Sequence, residues 1–234
     1  MSHLDVRSGG AAQGLVASLA PAFKSRTGLD IAGEFGAVGA MADKLRKGAP
    51  TDLIILTAAL VAKLAEEKLV APGSIRDIGL VETALAVRSD DPKILVANEA
   101  ELRAALLAAD AIFVPDTKAS TAGIHVAKVL AQLGIAEEVA ARLKIHPNGA
   151  TAMRALAASD TKRPIGCTQS TEIIATEGVD LSGPLPPGCD LATMYTAAVT
   201  TGAADPAAAM TLIELLSGSE ASEARRRAGF ANGP

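Results

Sequence analysis

Four segments place small or hydroxyl residues where an apolar run gives way to helical periodicity. They are Ser8-Gly9-Gly10-Ala11-Ala12, Gly36-Ala37-Val38-Gly39, Ser120-Thr121-Ala122-Gly123 and Gly149-Ala150-Thr151. The first N–H groups of a helix have no partner within it, and the aligned peptide dipoles add partial positive charge there. Such segments suit a small anion held by backbone N–H and hydroxyl groups. A tight strand-to-helix turn with no ligand would use the same glycines as Ser8-Gly9-Gly10. A dinucleotide fingerprint is ruled out by spacing, since Gly9, Gly10 and Gly14 do not form its triplet and no acid closes a second strand in register. The Walker lysine pattern is absent as well.

Catalysis is less well marked. No serine sits in a G-x-S-x-G turn, and no histidine neighbours an obvious nucleophile. Asp116, Glu172 and Tyr195, with Lys118, fall near strand ends and are the candidates for moving a proton; each also reads as a solvated charge or a cap. Cys167 and Cys189 read as two separate buried thiols, and His3, His125 and His146 are scattered without ligand spacing. The expectation is no metal and no cofactor.

The elements that must position these residues alternate between short apolar strands and amphipathic helices, the pattern of a parallel sheet covered by helices. Leu4–Val6 leads to a helix over about Ala11–Arg26, with Pro21 inside it and Gly28 closing it. Leu29–Phe35, Leu53–Leu56 and Leu80–Val87 read as strands; Ala37–Lys47 is a helix, and Thr57 caps another. The pattern then restarts. Asn98 with Glu101 makes a capping box, Ala111–Val114 is a buried strand, and Thr121 opens a helix. A helix over Glu138–Leu143, strand 144–146, helix Thr151–Ala158 and strand Pro164–Cys167 follow. Gly183–Gly188 is a loop, Thr193–Val199 a returning strand, and Asp205-Pro206 starts a further helix. The fold expected is α/β: two Rossmann-like lobes joined by two crossover strands. Residues 1–83 plus 198–234 would form lobe 1 and 84–197 lobe 2, with a ligand cleft between them.

Composition narrows the ligand. Aromatic residues are 2% of the 234, with no Trp and one Tyr, so stacking platforms for sugars, heterocycles or single-stranded nucleic acid are nearly missing. A formal net charge of −4 with no basic cluster beyond Arg225-Arg226-Arg227 argues against nucleic acid and against a membrane surface. No apolar run reaches bilayer length. Met1 leads straight toward the first strand, so the chain reads as cytoplasmic as written, and as periplasmic if a leader once preceded it.

Taken in order, several segments resemble the type II periplasmic solute-binding proteins, in the molybdate-binding branch. They are Leu15–Phe23 with Thr27-Gly28, Lys47-Gly48-Ala49-Pro50-Thr51-Asp52-Leu53, Val114-Pro115-Asp116 through Ala122-Gly123, Leu133-Gly134, and Tyr195-Thr196-Ala197-Ala198-Val199. The resemblance covers nearly the whole chain. It implies an anion bound between two lobes that close by hinge motion. It places the first-loop serine of molybdate binders at or near Gly10, the second at about Val38, backbone donors at Ala122 and Thr151, and the tyrosine contact at Gln169. Three side-chain contacts of molybdate binders are therefore missing, which points away from molybdate, because a tetrahedral oxyanion needs dense donors to offset its dehydration. Ser8-Gly9-Gly10 and Gln169-Ser170-Thr171-Glu172-Ile173 look closer to a divergent subgroup that includes aconitate isomerase-like proteins acting on small tricarboxylates.

The ligand-binding set implied is Ser8, Gly9, Gly10, Ala37, Val38, Thr121, Ala122, Thr151 and Gln169, with Arg7 or Lys118 as a possible cation. The function expected is capture of a small oxyanion or organic carboxylate by a monomer that delivers it to an ABC permease. The alternative is an isomerase of a small unsaturated tricarboxylate.

Overall fold

In the computed structural model, which describes residues 3–231, every second residue of β1 (His3–Gly9) is buried: Leu4, Val6 and Ser8 face the core. A 3-10 turn, Gly10–Ala12, enters α1 (Gln13–Thr27), which buries Leu15, Val16 and Phe23. This helix continues through Pro21 and is closed by the Gly28 N–H on the Lys24 carbonyl. β2 (Asp30–Gly36) and α2 (Val38–Arg46) lead to β3 (Leu53–Thr57), whose five residues are all buried, as befits a strand covered on both faces. The Thr57 hydroxyl accepts the Leu60 N–H at the start of α3 (Ala58–Glu66). β4 (Arg76–Arg88) begins in this first lobe and passes into the second at Val81/Glu82.

In the second lobe, α4 (Glu99–Ala108) is capped by Asn98, whose side chain accepts the Glu101 N–H. The Glu101 carboxylate in turn takes the Ala97 N–H. β5 (Ala111–Pro115), α5 (Thr121–Gln132), α6 (Ala136–Val139) and β6 (Leu143–His146) follow. Then come α7 (Gly149–Ala157), β7 (Pro164–Gln169), α8 (Ser170–Ile174) and β8 (Val179–Pro184). The chain returns to the first lobe at Thr193, within β9 (Ala192–Val199), and ends in α9 (Pro206–Ser217) and α10 (Ser222–Arg227).

The two lobes repeat one topology. In the first, β1 lies between β2 and β3 and is parallel to both, with β9 antiparallel beside β3. In the second, β5 lies between β6 and β7, parallel to both, with β4 antiparallel beside β7 and β8 beyond it. In each, the chain runs outward by one strand and then crosses back over the starting strand. That reversal is a topological switch point, and it leaves a crevice at the carboxyl ends of the parallel strands. β1 corresponds to β5, α1 to α5, α2 to α7, and α3 to α8.

The first lobe has one apolar core, which includes Leu4, Phe23, Ile54, Leu64 and Leu212. The second has two. Leu102, Ile112, Val126 and Leu130 pack on one face of the sheet, and Phe113, Met153, Leu156 and Ile173 on the other. Each fully buried side chain of this size stabilises the fold by about 1.5–3 kcal/mol before entropy is subtracted.

Three local expectations change. The helix foreseen over Glu138–Leu143 is split: α6 ends at Val139, a 3-10 turn spans Ala140–Arg142, and Leu143 already pairs with Ile112 in the sheet. The Thr151 helix starts two residues earlier, at Gly149, because Asn148 is its cap. α8 and β8 were not foreseen.

Candidate functional site

The register of the first lobe brings Gly9 beside Gly36 and Thr57 beside Tyr195 at the carboxyl edge of the sheet. The strand ends and helix starts at this edge carry Ser8, Gly9, Gly10, Ala37 and Val38, so five of the sequence-derived residues share one place. Gly9 is required by close approach: a Cβ there would lie 2.7 Å from Val38 Cγ1 and 2.9 Å from Tyr195 Cε1. Tyr195 is 1% exposed and meets Phe230 edge-on at 6.4 Å between ring centres. Ser8 is fully buried, and its hydroxyl donates to the Gly9 carbonyl at 2.8 Å. This edge therefore presents backbone N–H groups and no free carboxylate from the residues just named. α1 and α2 both begin without a side-chain cap and without an acid in the first turn.

In the second lobe the equivalent edge carries the loop after β5, the start of α7 and the end of β7. Asp116 organises the first of these: Oδ1 accepts the Lys118 and Ala119 N–H groups at 2.7 and 3.0 Å. α5 then starts at Thr121 with no side-chain cap and no acid in its first turn. Ala122 is buried and Thr121 partly exposed. Lys118 is exposed in the same loop.

α7 is built differently. Asn148 Oδ1 accepts the Thr151 N–H at 2.9 Å, and Thr151 Oγ1 accepts the Asn148 N–H at 3.2 Å while donating to the Asn148 carbonyl at 2.8 Å. The N–H and hydroxyl of Thr151 are thus engaged within the helix start itself. The Glu172 carboxylate takes the first amide of the helix, that of Gly149. It accepts the Thr168 hydroxyl at 2.6 Å and the backbone N–H groups of Gln169 and Gly149. A Cβ on residue 149 would overlap this carboxylate and the Thr168 hydroxyl, so only glycine fits. Burial pushes the Glu172 carboxyl up, against the downward pull of the Thr168 hydroxyl and of the Gln169 and Gly149 amides. Gln169 ends β7 beside Thr83 and is buried.

Other candidates lie apart. Arg7 projects from β1 onto Glu34, which also receives Lys44. Cys167 and Cys189 are free and buried, and burial pushes the Cys167 thiol up to about 12. An apolar cavity of about 330 Å³ lies at the amino edge of the second lobe's parallel strands, between Val87, Ile94, Ala105 and Ile165, and contains none of the residues above. No cluster among the described residues could hold a metal ion, and none of their helices is long and apolar enough to cross a membrane.

The role of Asn148 was missed although its signal, Asn-x-x-Thr before an amphipathic run, stands in the sequence. The embrace of Glu172 by Gly149, 23 positions earlier in the chain, has no local signal.

Comparison with known proteins places this architecture. The profile of the bacterial extracellular solute-binding proteins matches residues 4–231. The chain belongs to that family. Among its structural relatives is the periplasmic molybdate-binding protein of Azotobacter vinelandii, with TM-score 0.82, 20% identity, and coverage of 99% of this chain and 100% of that one. The sulfate-binding protein of Mycobacterium tuberculosis H37Rv superposes with TM-score 0.76 at 18% identity, over 98% of this chain and 86% of that one. At these identities the likeness concerns the fold, which is the type II periplasmic-binding-protein fold. In sequence, the family member described here is 28% identical over 241 residues to an aconitate isomerase of a Pseudomonas species, covering 98% of this chain and 88% of that protein.

Proposed function

We propose that the chain captures a small anion, an oxyanion or an organic carboxylate, on the carboxyl-edge loops of its two lobes, as the binding component of an ABC-type uptake system. One observation carries this reading: α1, α2 and α5, which start at those loops, have neither a side-chain cap nor a first-turn acid. At the same edges α3 is capped by Thr57 and α7 by Asn148, and elsewhere α4 and α9 are capped by Asn98 and Asp205. Thus α1, α2 and α5 are the edge starts left without an internal acceptor from a cap or a first-turn acid. A side-chain cap is worth about 1 kcal/mol, so its omission at these three helix starts favours a ligand that supplies the acceptor instead. Gly9, Gly10, Ala37 and Val38 would offer amides from one lobe, and Thr121 and Ala122 an amide and a hydroxyl from the other. Calorimetric titration with molybdate, tungstate, sulfate, phosphate, citrate and aconitate tests it. Heat and a thermal shift with at least one anion are expected; silence with all six would sink the reading.

A second reading is an isomerase of an unsaturated tricarboxylate, favoured by the near full-length likeness to an aconitate isomerase. The reaction would be an allylic proton transfer, removing a proton from one carbon and returning one to the far end of the shifted double bond. Asp116, Glu172 and Tyr195 are its candidate acids and bases. Incubating cis- or trans-aconitate with the protein in D₂O and following proton NMR decides: solvent deuterium and the other isomer would appear, whereas an unchanged spectrum removes this substrate.

A further inference from the structure

The buried carboxyl group of Glu172 meets the start of α7, the counterpart of the uncapped α2 in the repeated topology. It sits at the amino end of α7, a nine-residue helix, and receives three donors: the Thr168 hydroxyl at 2.6 Å and the amides of Gly149 and Gln169. Glu172 is 6% exposed and comes from α8, so it reaches α7 as a separate element would. Asn148 takes the amide of Thr151, two positions further on. The glycine at 149 has no room for a side chain because the carboxylate lies against its backbone.

We propose that Glu172 is a built-in occupant: its carboxyl group fills a preformed cradle made by Gly149, Thr168 and Gln169, and thereby confines the solute in this lobe to the start of α5. This rests on the proposed capture of an anion as far as the confinement is concerned; the cradle itself does not. Three donors converging on one flat two-oxygen group make the cradle specific for a carboxyl group. Removing the side chain leaves the three donors buried without an acceptor, and a free carboxylate of the right size can then restore them. Glu172 acts here as a specificity-determining residue, and no proton transfer is asked of it.

The test uses the full chain with formate as the probe. Glu172→Ala, Glu172→Gln and the parent are melted in sodium formate and in sodium chloride at equal ionic strength. Formate should raise the Glu172→Ala midpoint by roughly 4 °C or more over chloride, while leaving the parent and Glu172→Gln unchanged. Equal formate effects on all three proteins would overturn the cradle. Should Glu172→Ala fail to fold in chloride, refolding it in formate reads the same property: recovery in formate supports the cradle, and failure in both salts counts against it. Titrating the folded variant with citrate and sulfate then separates the two claims. Formate rescue with no solute anion bound by parent or variant would leave the cradle standing and sink the proposed function. Solute binding without rescue would do the reverse. Rescue together with an additional anion per chain in Glu172→Ala is the result expected for confinement, and an unchanged stoichiometry would overturn that part.

Discussion

Helices α2 and α7 hold the same place in their lobes, each following the outer parallel strand and leading back across the first. α2 starts after Ala37 with its first amides free of any side-chain cap. α7 starts with Asn148 on one amide and Glu172 on another. The two helices are equally long, nine residues each, so the difference lies in what meets their ends. One topology can therefore present its helix dipole outward or consume it internally, and the choice is written in two or three side chains. In the second lobe the outward role falls to α5, whose start resembles that of α2.

The largest effect is expected at Gly149. Gly149→Ala places a methyl group on the Glu172 carboxylate, and overpacking of this kind plus loss of the buried bonds should cost about 3 kcal/mol or more. Urea denaturation would read this as a lower midpoint. An unchanged midpoint would mean that the cradle is looser than described. Gly9→Ala is the counterpart in the first lobe. It pushes Val38 and Tyr195 aside, costs about 1–3 kcal/mol, and should also weaken anion titration heats. Next comes Asn148→Ala, which removes the α7 cap and should cost about 1 kcal/mol by the same urea measurement. Ala37 should tolerate change much better, since no cap is there to lose.

Glu172 also sets a pH dependence. Because burial raises its proton affinity in the folded chain, the native state keeps a proton over a range in which the unfolded chain has released it. Stability contributed by this group is then fully present below the ordinary carboxyl value and is lost as pH rises from there through the raised one. Glu172→Gln should flatten that slope in urea midpoints measured against pH, and an identical slope in both proteins would contradict it. The smallest expected effect concerns Cys167, whose thiol is buried and held protonated. It should not react with a thiol reagent in the native chain, and it should react on unfolding.

Much of this fold was legible because the apolar runs and caps are local. Thr57, Asn98 and Asp205 cap the helices that their positions announce. The alternation of short strands and amphipathic helices foretold two α/β lobes. What escaped notice depends on distance in the chain. β8 is a strand because β4 offers an edge to it, with Val179 opposite Arg88, and its own residues end in glycine and proline. Thr151 looked like a helix opener and a ligand donor, but three residues of backbone turn make it the third helical position under Asn148. Glu172 looked like an isolated acid; its partners, Gly149 and Thr168, arrive from other elements. Ser8, Gly9, Gly10, Ala37 and Val38 were assembled at one sheet edge as a consequence of parallel register, which the order of strands alone does not reveal.

If uncapped helix starts hold the solute, a change at the cap of α5 reaches it first. Ser120→Asp supplies an acid at the cap position, which satisfies the same amides from within and favours the helix. Parent and variant would be titrated in parallel with the six anions by calorimetry, with thermal midpoints recorded. The variant should melt no lower than the parent and bind the anion about tenfold to a hundredfold more weakly. Undiminished binding by a folded Ser120→Asp variant would contradict it.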